Sequence, residues 1–287
     1  MEIIKLLRIR QYIKNLFIFA PILFAFDTDI THLTNSLIAF ILFSLIASSI
    51  YILNDYIDIE EDQKHPTKQF RPLASGTVDT KTALLLALTL SATSLILSAL
   101  FNMQLFIVLF IYFILNISYS MKLKHIAVVD IYIIATGFVL RLFAGSSVTD
   151  IKLSMWIIIM TFLLALFLAL AKRRDDVILG LQGKQTRKNI DGYNIEFINA
   201  SMILMAGVVI VSYIFYTVSS GVIQRLNTEN LYLTSFFVIL GVLRYMQITF
   251  VEENSGSPTK IVFKDTFLKI SIIAWLISFI LIVKYAS

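Results

Sequence analysis

Apolar runs of about 16 to 23 residues recur along the whole chain, and no other feature limits its fold as much. As a helix, each run is long enough to cross a hydrocarbon core about 30 Å thick. Lipid offers an unpaired backbone no hydrogen-bonding partner, so such runs must satisfy their polar groups internally, as helices do. They lie near residues 13–27, 33–53, 82–101, 104–119, 127–148, 153–171, 197–220, 230–249 and 267–285. The expected fold is therefore an all-α integral membrane bundle of nine transmembrane helices. Composition agrees: 58% of residues are hydrophobic and 15% charged, where a soluble domain carries nearer a quarter charged. No low-complexity or Pro/Gly/Ser-rich linker divides the chain, so residues 1–287 read as one domain. The absence of Cys excludes disulfides, thiol catalysis and a thiolate-bound metal.

The net charge of +5 does not point to nucleic acid, because the basic residues fall in short loops between apolar runs and form no stripe with interleaved aromatics. Lys5, Arg8 and Arg10 before an apolar run superficially resemble a signal peptide, but no small-residue cleavage site follows and an uncleaved first span is expected. Eighteen Lys and Arg lie in the N-terminus and in the loops after spans two, four, six and eight, the loop after span six contributing Lys172, Arg173, Arg174, Lys184, Arg187 and Lys188. Three, Lys152, Arg225 and Lys284, lie in the opposite loops and the C-terminus. The positive-inside rule then puts the N-terminus and the long polar loops in the cytoplasm and the C-terminus outside.

The second span runs into Asn54-Asp55-Tyr56-Ile57-Asp58-Ile59-Glu60-Glu61-Asp62. If helical turns continue, Asn54, Asp58 and Asp62 stand at i, i+4 and i+8, and Asp55 is about one turn from Asp58 and two from Asp62, so four oxygen-bearing side chains share one face. Clustered carboxylates repel one another unless a cation bridges them, and hard oxygen ligands select Mg²⁺, which takes substrate phosphates as further ligands. The plain alternative is a solvated acidic helix end. Against it stands the following segment, in which Lys68 and Arg71 offer cations for phosphate oxygens beside the carboxylates. Asn54, Asp55, Asp58 and Asp62 are thus the candidate metal ligands, with Asp55, Asp58, Lys68 and Arg71 the candidate catalytic groups.

Asn-Asp-x-x-Asp-x-x-x-Asp at the cytoplasmic end of the second of nine helices resembles the first signature of the UbiA prenyltransferase superfamily. Within it, short segments in order along the chain resemble the branch that transfers phosphoribosyl groups to decaprenyl phosphate. They are Arg10 to Asn15 with Pro21; His65 to Lys68 through Arg71-Pro72; Tyr119-Ser120 with Leu123-Lys124-His125; Asp130; Gly137 to Arg141; Lys172-Arg173; and Arg187 with Gly192-Tyr193. The resemblance implies a UbiA-like bundle with its active site on the cytoplasmic side, in a multi-pass protein of the bacterial cytoplasmic (inner) membrane. It implies Mg²⁺-dependent transfer of 5-phosphoribosyl from 5-phosphoribosyl diphosphate to a polyprenyl phosphate, releasing diphosphate. Lys14, Asn54, Lys124, Asp130, Arg141, Lys172, Arg173 and Tyr193 are the substrate-binding candidates it carries over. Nothing in the sequence opposes a homo-oligomer.

In the fifth span Asp130 and Arg141 share nearly one helical face but are about 16 Å apart along the axis, too far to pair. An Arg at that depth should face the bundle interior or a wet cavity, either on a substrate or in a salt bridge to another helix. The sixth span ends in Lys172-Arg173-Arg174-Asp175-Asp176, where prenyl-diphosphate-using members of the superfamily carry a second Asp-rich motif. Basic residues there suit a substrate pair with several phosphates, although a cytoplasmic boundary alone also attracts them. Asn116 and Arg244 read as interhelical hydrogen-bond partners. Two rival functions remain: a UbiA-type prenyltransferase whose same carboxylates hold a prenyl diphosphate for an aromatic, quinone-precursor or glycerol-phosphate acceptor, and a transporter using Asp130 and Arg141 as intramembrane charges.

Overall fold

A computed structural model describes residues 2–65, 67–181, 190–253 and 258–285. Lys184, Arg187 and Lys188 of the basic loop, and Pro66 of the segment after the carboxylates, lie outside the described residues. The described residues form thirteen α-helices: α1 (Glu2–Leu7), α2 (Ala20–Ala25), α3 (Ile30–Ile57), α4 (Ile59–Lys64), α5 (Thr80–Phe101), α6 (Met103–Met121), α7 (Val129–Thr149), α8 (Met155–Leu181), α9 (Ile195–Val218), α10 (Ser220–Leu226), α11 (Ser235–Phe250), α12 (Pro258–Lys264) and α13 (Thr266–Tyr285). No strand occurs among them. The chain divides into two compact units, Met1–Leu153 and Ser154–Ser287.

Eight helical segments are long and apolar enough to cross a membrane: α3, α5, α6, α7, α8, α9, Asn230–Phe250 and α13. Each overlaps one of the last eight apolar runs. The first run, expected as a continuous span over 13–27, is instead a 3₁₀ segment (Ile9–Phe19) followed by α2. Pro21 stands in the first turn of α2, where it has no N–H to continue a ladder from Phe17. The tighter winding upstream is pinned from outside: Tyr12 bonds Ser48 at 2.8 Å, Asn15 donates to the Ser44 hydroxyl at 2.9 Å, and the Ser48 hydroxyl donates to the Leu7 carbonyl.

Helix starts follow side-chain chemistry. Asp29, Asp79, Asn102 and Asn194 each accept a hydrogen bond from an orphan backbone N–H in the first turn of α3, α5, α6 and α9 respectively. In the first unit α3 and α7 are the most enclosed helices. Buried Ser36, Ser44, Ser48 and Ser49 on α3, with Ser91, Ser94 and Ser98 on α5, keep side chains small, so backbones approach closely; the Ser94 hydroxyl reaches the Leu42 carbonyl across the contact. The 3₁₀ segment passes so near α7 that a Cβ on Gly145 would lie 1.9 Å from the Ile18 carbonyl oxygen. Only glycine permits that crossing. The core beneath joins Ile18, Phe43, Ile46, Leu105, Leu109, Tyr112 and Ala144.

Candidate active site at the end of α3

The last turn of α3 carries Asn54 and Asp55, and the ladder continues past it, with the Asp58 N–H on the Asn54 carbonyl and the Asp62 N–H on the Asp58 carbonyl. Asp58, at φ −94° and ψ 8°, breaks the helix for one residue before α4 begins. That break sorts the four expected side chains into two pairs. Asp55 and Asp62 converge on Arg71, whose Nη1 donates to Asp55 Oδ1 at 3.0 Å and to Asp62 Oδ2 at 2.6 Å. Asn54 donates to Asp58 at 3.0 Å and accepts from the Ser120 hydroxyl of α6 at 3.2 Å.

Four cations complete the cluster. Arg8 binds Asp55, Lys124 binds Asp58, Arg71 bridges Asp55 and Asp62, and Lys68 approaches Asp62 at 3.8 Å. Arg8 lies in the left-handed region at φ 53°, where a non-glycine backbone is strained, and its guanidinium covers the Tyr51 ring at 5.3 Å. Burial holds its pKa below the ordinary arginine value, with Asp55 opposing the shift. The alternative of a solvated acidic helix end does not hold for Asp55 and Asp62, which are buried where Arg71 binds them.

Lys14 and Arg141 come together deeper in the first unit. Arg141, buried on α7, donates to Asn15 Oδ1 at 2.9 Å, the Gly137 carbonyl at 2.6 Å and the Tyr112 hydroxyl at 3.2 Å. Among the described residues it makes no salt bridge to another helix. Asp130 is fully buried in the first turn of α7. Asn116 bonds the Tyr112 carbonyl of its own helix and not a neighbour, since an amide four residues on reaches back along α6. Arg244, as expected, does link helices, binding Asp265 between α12 and α13.

In the second unit Lys172 is exposed, whereas Arg173 is buried and donates to Asp176 at 3.1 Å. Arg174 is buried as well, on Asn199 of α9 and the Thr249 carbonyl of α11. Tyr193 is buried at the foot of α9. Sequence reading missed Arg8, Tyr51 and Ser120 as parts of the site. No local pattern marks Arg8, whose partner is 47 residues away.

Among the described residues no group of three or more carboxylates or imidazoles is poised to hold a metal by itself. The donor set nevertheless fits a hard divalent cation, because oxygens of Asp55 and Asp62 already meet at one positively charged atom, Arg71 Nη1. A helical membrane bundle that gathers three carboxylates and four cations at one helix end has the equipment of a transferase for phosphorylated substrates. A family model described as the UbiA prenyltransferase family matches residues 15–281, and the chain belongs to that family. It is 34% identical to a decaprenyl-phosphate phosphoribosyltransferase of Mycolicibacterium smegmatis, over 96% of this chain and 90% of that one. It is 30% identical to the protein of the same name in Corynebacterium glutamicum, over 98% and 86%. A UbiA homolog from Archaeoglobus fulgidus, solved with DMAPP and Mg²⁺, superposes with a TM-score of 0.72 at 18% identity, covering 99% of this chain and all of that one.

Proposed function

We propose that the protein transfers a 5-phosphoribosyl group from 5-phosphoribosyl diphosphate to a polyprenyl phosphate in the bacterial cytoplasmic membrane. The observation that carries the reading is the interleaving of Arg8, Lys68, Arg71 and Lys124 with Asp55, Asp58 and Asp62, beside full-length similarity to relatives of that name. Such a cluster answers a metal-bound diphosphate: carboxylates face the metal, and guanidinium and ammonium groups face phosphate oxygens. Mg²⁺, held by Asp55, Asp62 and Asp58 with Asn54, would supply Lewis-acid stabilisation of the departing diphosphate. Arg71 and Lys68 steady the same leaving group as the anomeric C–O bond breaks. The lipid phosphate is already an anionic nucleophile, so its oxygen attacks the anomeric carbon without a general base. An apolar groove of about 500 Å³ between α3, α5 and α6, lined in part by Ser120, would receive its lipid chain, with Lys124 close by on Asp58.

The membrane count in this reading is nine. The 11-residue 3₁₀ segment and six-residue α2 together rise about 31 Å, enough for one broken crossing. The N-terminus and the carboxylate cluster then face the cytoplasm, where a soluble phosphorylated donor is found, and the C-terminus lies outside. Lys172 and Arg173, in place of a second carboxylate motif, favour the multiply phosphorylated donor over a prenyl diphosphate. Because Arg173 is buried against Asp176, Lys172→Ala is the cleaner probe of a phosphate contact.

Purified protein is incubated with Mg²⁺, radiolabelled 5-phosphoribosyl diphosphate and polyprenyl phosphate, and the lipid phase is counted. Label in the lipid phase is expected. Transfer of a labelled prenyl group from prenyl diphosphate to an aromatic acceptor, with the ribosyl donor ignored, would overturn the reading. Transport of substrate without covalent product would replace it with the rival of another class.

A further inference from the structure

The helix break at Asp58 leaves that carboxylate without a regular backbone to aim it, so its direction depends on what its oxygens touch. Each oxygen meets one donor. Lys124 holds Oδ1, and the Asn54 amide nitrogen holds Oδ2 at 3.0 Å. The two anchors differ in kind. Lys124 carries its ammonium on a long flexible stem and can swing to an arriving phosphate oxygen. Asn54 has a short side chain in the last turn of α3, and it stays where it is.

Asn54 is fixed at its other end as well. A carboxylate only accepts hydrogen bonds, so the amide must present its nitrogen to Asp58, and its oxygen is left to face a donor. That donor is Ser120, 2% exposed near the C-terminus of α6, whose hydroxyl donates to Asn54 Oδ1 at 3.2 Å. A helical serine commonly bonds a carbonyl of its own preceding turn; Ser120 reaches across to α3 instead. The Asn54 oxygen is therefore turned toward α6. Asp55, the next residue and about 100° further round the helix, converges with Asp62 on Arg71.

We propose that Ser120 and Asn54 are a positioning pair for Asp58. The serine hydroxyl sets which way the amide faces, the amide sets the direction of the carboxylate, and Asn54 helps to hold the metal through Asp58 and not by an oxygen of its own. The inference rests on the reading of the carboxylates as metal ligands. When substrate phosphates draw Lys124 away, Asp58 Oδ1 opens to the cation, and the Asn54 N–H on Oδ2 keeps the carboxylate in the orientation it already has. A ligand fixed in this way by an outer partner needs no reordering when the metal arrives. Ser120 also lines the apolar groove, which supplies the rival account of a hydroxyl that serves the lipid.

The test is equilibrium dialysis of the full-length protein in detergent against inorganic diphosphate and radioactive Mn²⁺, a hard divalent cation standing in for Mg²⁺, with the excess metal on the protein side giving the bound fraction. Ser120→Ala should weaken metal binding about 3- to 10-fold, as one lost neutral hydrogen bond implies, and Ser120→Thr, which keeps the hydroxyl, should retain it. In an Asn54→Ala background Ser120→Ala should cost nothing more, because the serine acts only through the amide. The sign separates the two roles open to Asn54. Were its oxygen a metal ligand, removing the hydroxyl that competes for it would leave binding unchanged or tighter, and that result overturns the pair. An equal loss from Ser120→Ala with and without Asn54 overturns it too. So does a raised KM for polyprenyl phosphate with metal binding intact, which would give Ser120 to the groove. If the unsubstituted protein binds no Mn²⁺, the metal reading itself fails and takes the pair with it; if it binds Mn²⁺ and Ser120→Ala binds it equally, only the pair fails.

Discussion

Replacing Asp55 by Asn removes one negative charge that faces two guanidiniums. Asp55 is 2% exposed, and Arg8 and Arg71 are 24% and 26% exposed. Arg71 keeps Asp62 at 2.6 Å, but Arg8 loses its ion-pair partner and keeps the Tyr51 ring and the more distant charge of Asp62. Removing one partner of a buried ion pair costs about 3–5 kcal/mol because the survivor stays charged, and the quarter exposure of Arg8 moves the expectation to the lower end, about 3 kcal/mol. At about 2–4 °C per kcal/mol, the melting temperature should fall by roughly 6–12 °C. Asp58→Asn should differ, since Lys124 can carry its ammonium toward water on a flexible stem, and a loss nearer 1 kcal/mol is expected. Both variants should lose at least about 100-fold in transfer rate, because both remove charge from the place where the leaving group develops it. The assay is far-ultraviolet circular dichroism melting in detergent beside the transfer assay; tryptophan fluorescence would be uninformative, since both Trp residues lie in the second unit. The Arg8→Met/Asp55→Asn double variant should recover part of the loss. An unshifted melt for Asp55→Asn, with Arg8→Met costing the same in either background, would refute the ion-pair reasoning.

Gly145→Ala should displace the 3₁₀ segment, because its Cβ would stand 1.9 Å from a backbone oxygen that no rotamer change can move; a cost of about 1–3 kcal/mol and a higher KM for the donor are expected from melting and kinetics. EDTA should abolish transfer without lowering the melting temperature, and added Mg²⁺ should restore it; full activity in EDTA would end the metal assignment. Arg244, and then the Leu268 N–H, hold Asp265 below the ordinary carboxylate range. The unfolded chain therefore takes up its proton first, so the pair's contribution is complete above about pH 4 and is lost as pH falls through the lower folded value. Asp265→Asn should accordingly lower the melting temperature at pH 7, with the gap closing below about pH 4.

Eight spans were legible because unbroken apolar length is a local property, and lipid leaves such a run one structure. The 13–27 run misled for a local reason too: Pro21 was visible, but the side-chain bonds from Tyr12 and Asn15 to α3 that hold the segment in a tighter winding were not. The carboxylates were legible from their spacing, yet spacing could not foresee that Asp58 would leave helical geometry and divide them into pairs. Lys68 and Arg71 were close enough in sequence to be inferred. Arg8 and Ser120 reach the cluster from 47 and 66 residues away, and only the folded chain brings them there. Lys172 and Arg173 look equivalent in sequence, but successive helical residues point about 100° apart, so one is exposed and the other buried against Asp176.

The bond from Arg141 to Asn15 joins residues 126 apart. Chains leave the ribosome at roughly 5–20 residues per second, so about 6–25 seconds separate the emergence of the first partner from that of the second. During that interval α3, α5 and α6 can enter the bilayer, but Gly145 has not yet arrived to receive Ile18, and Asn15 has no guanidinium to accept from. The N-terminal segment can thus take its bonds to Ser44, Ser48 and Asp55 as soon as α3 is made, and its crossing with α7 is completed last.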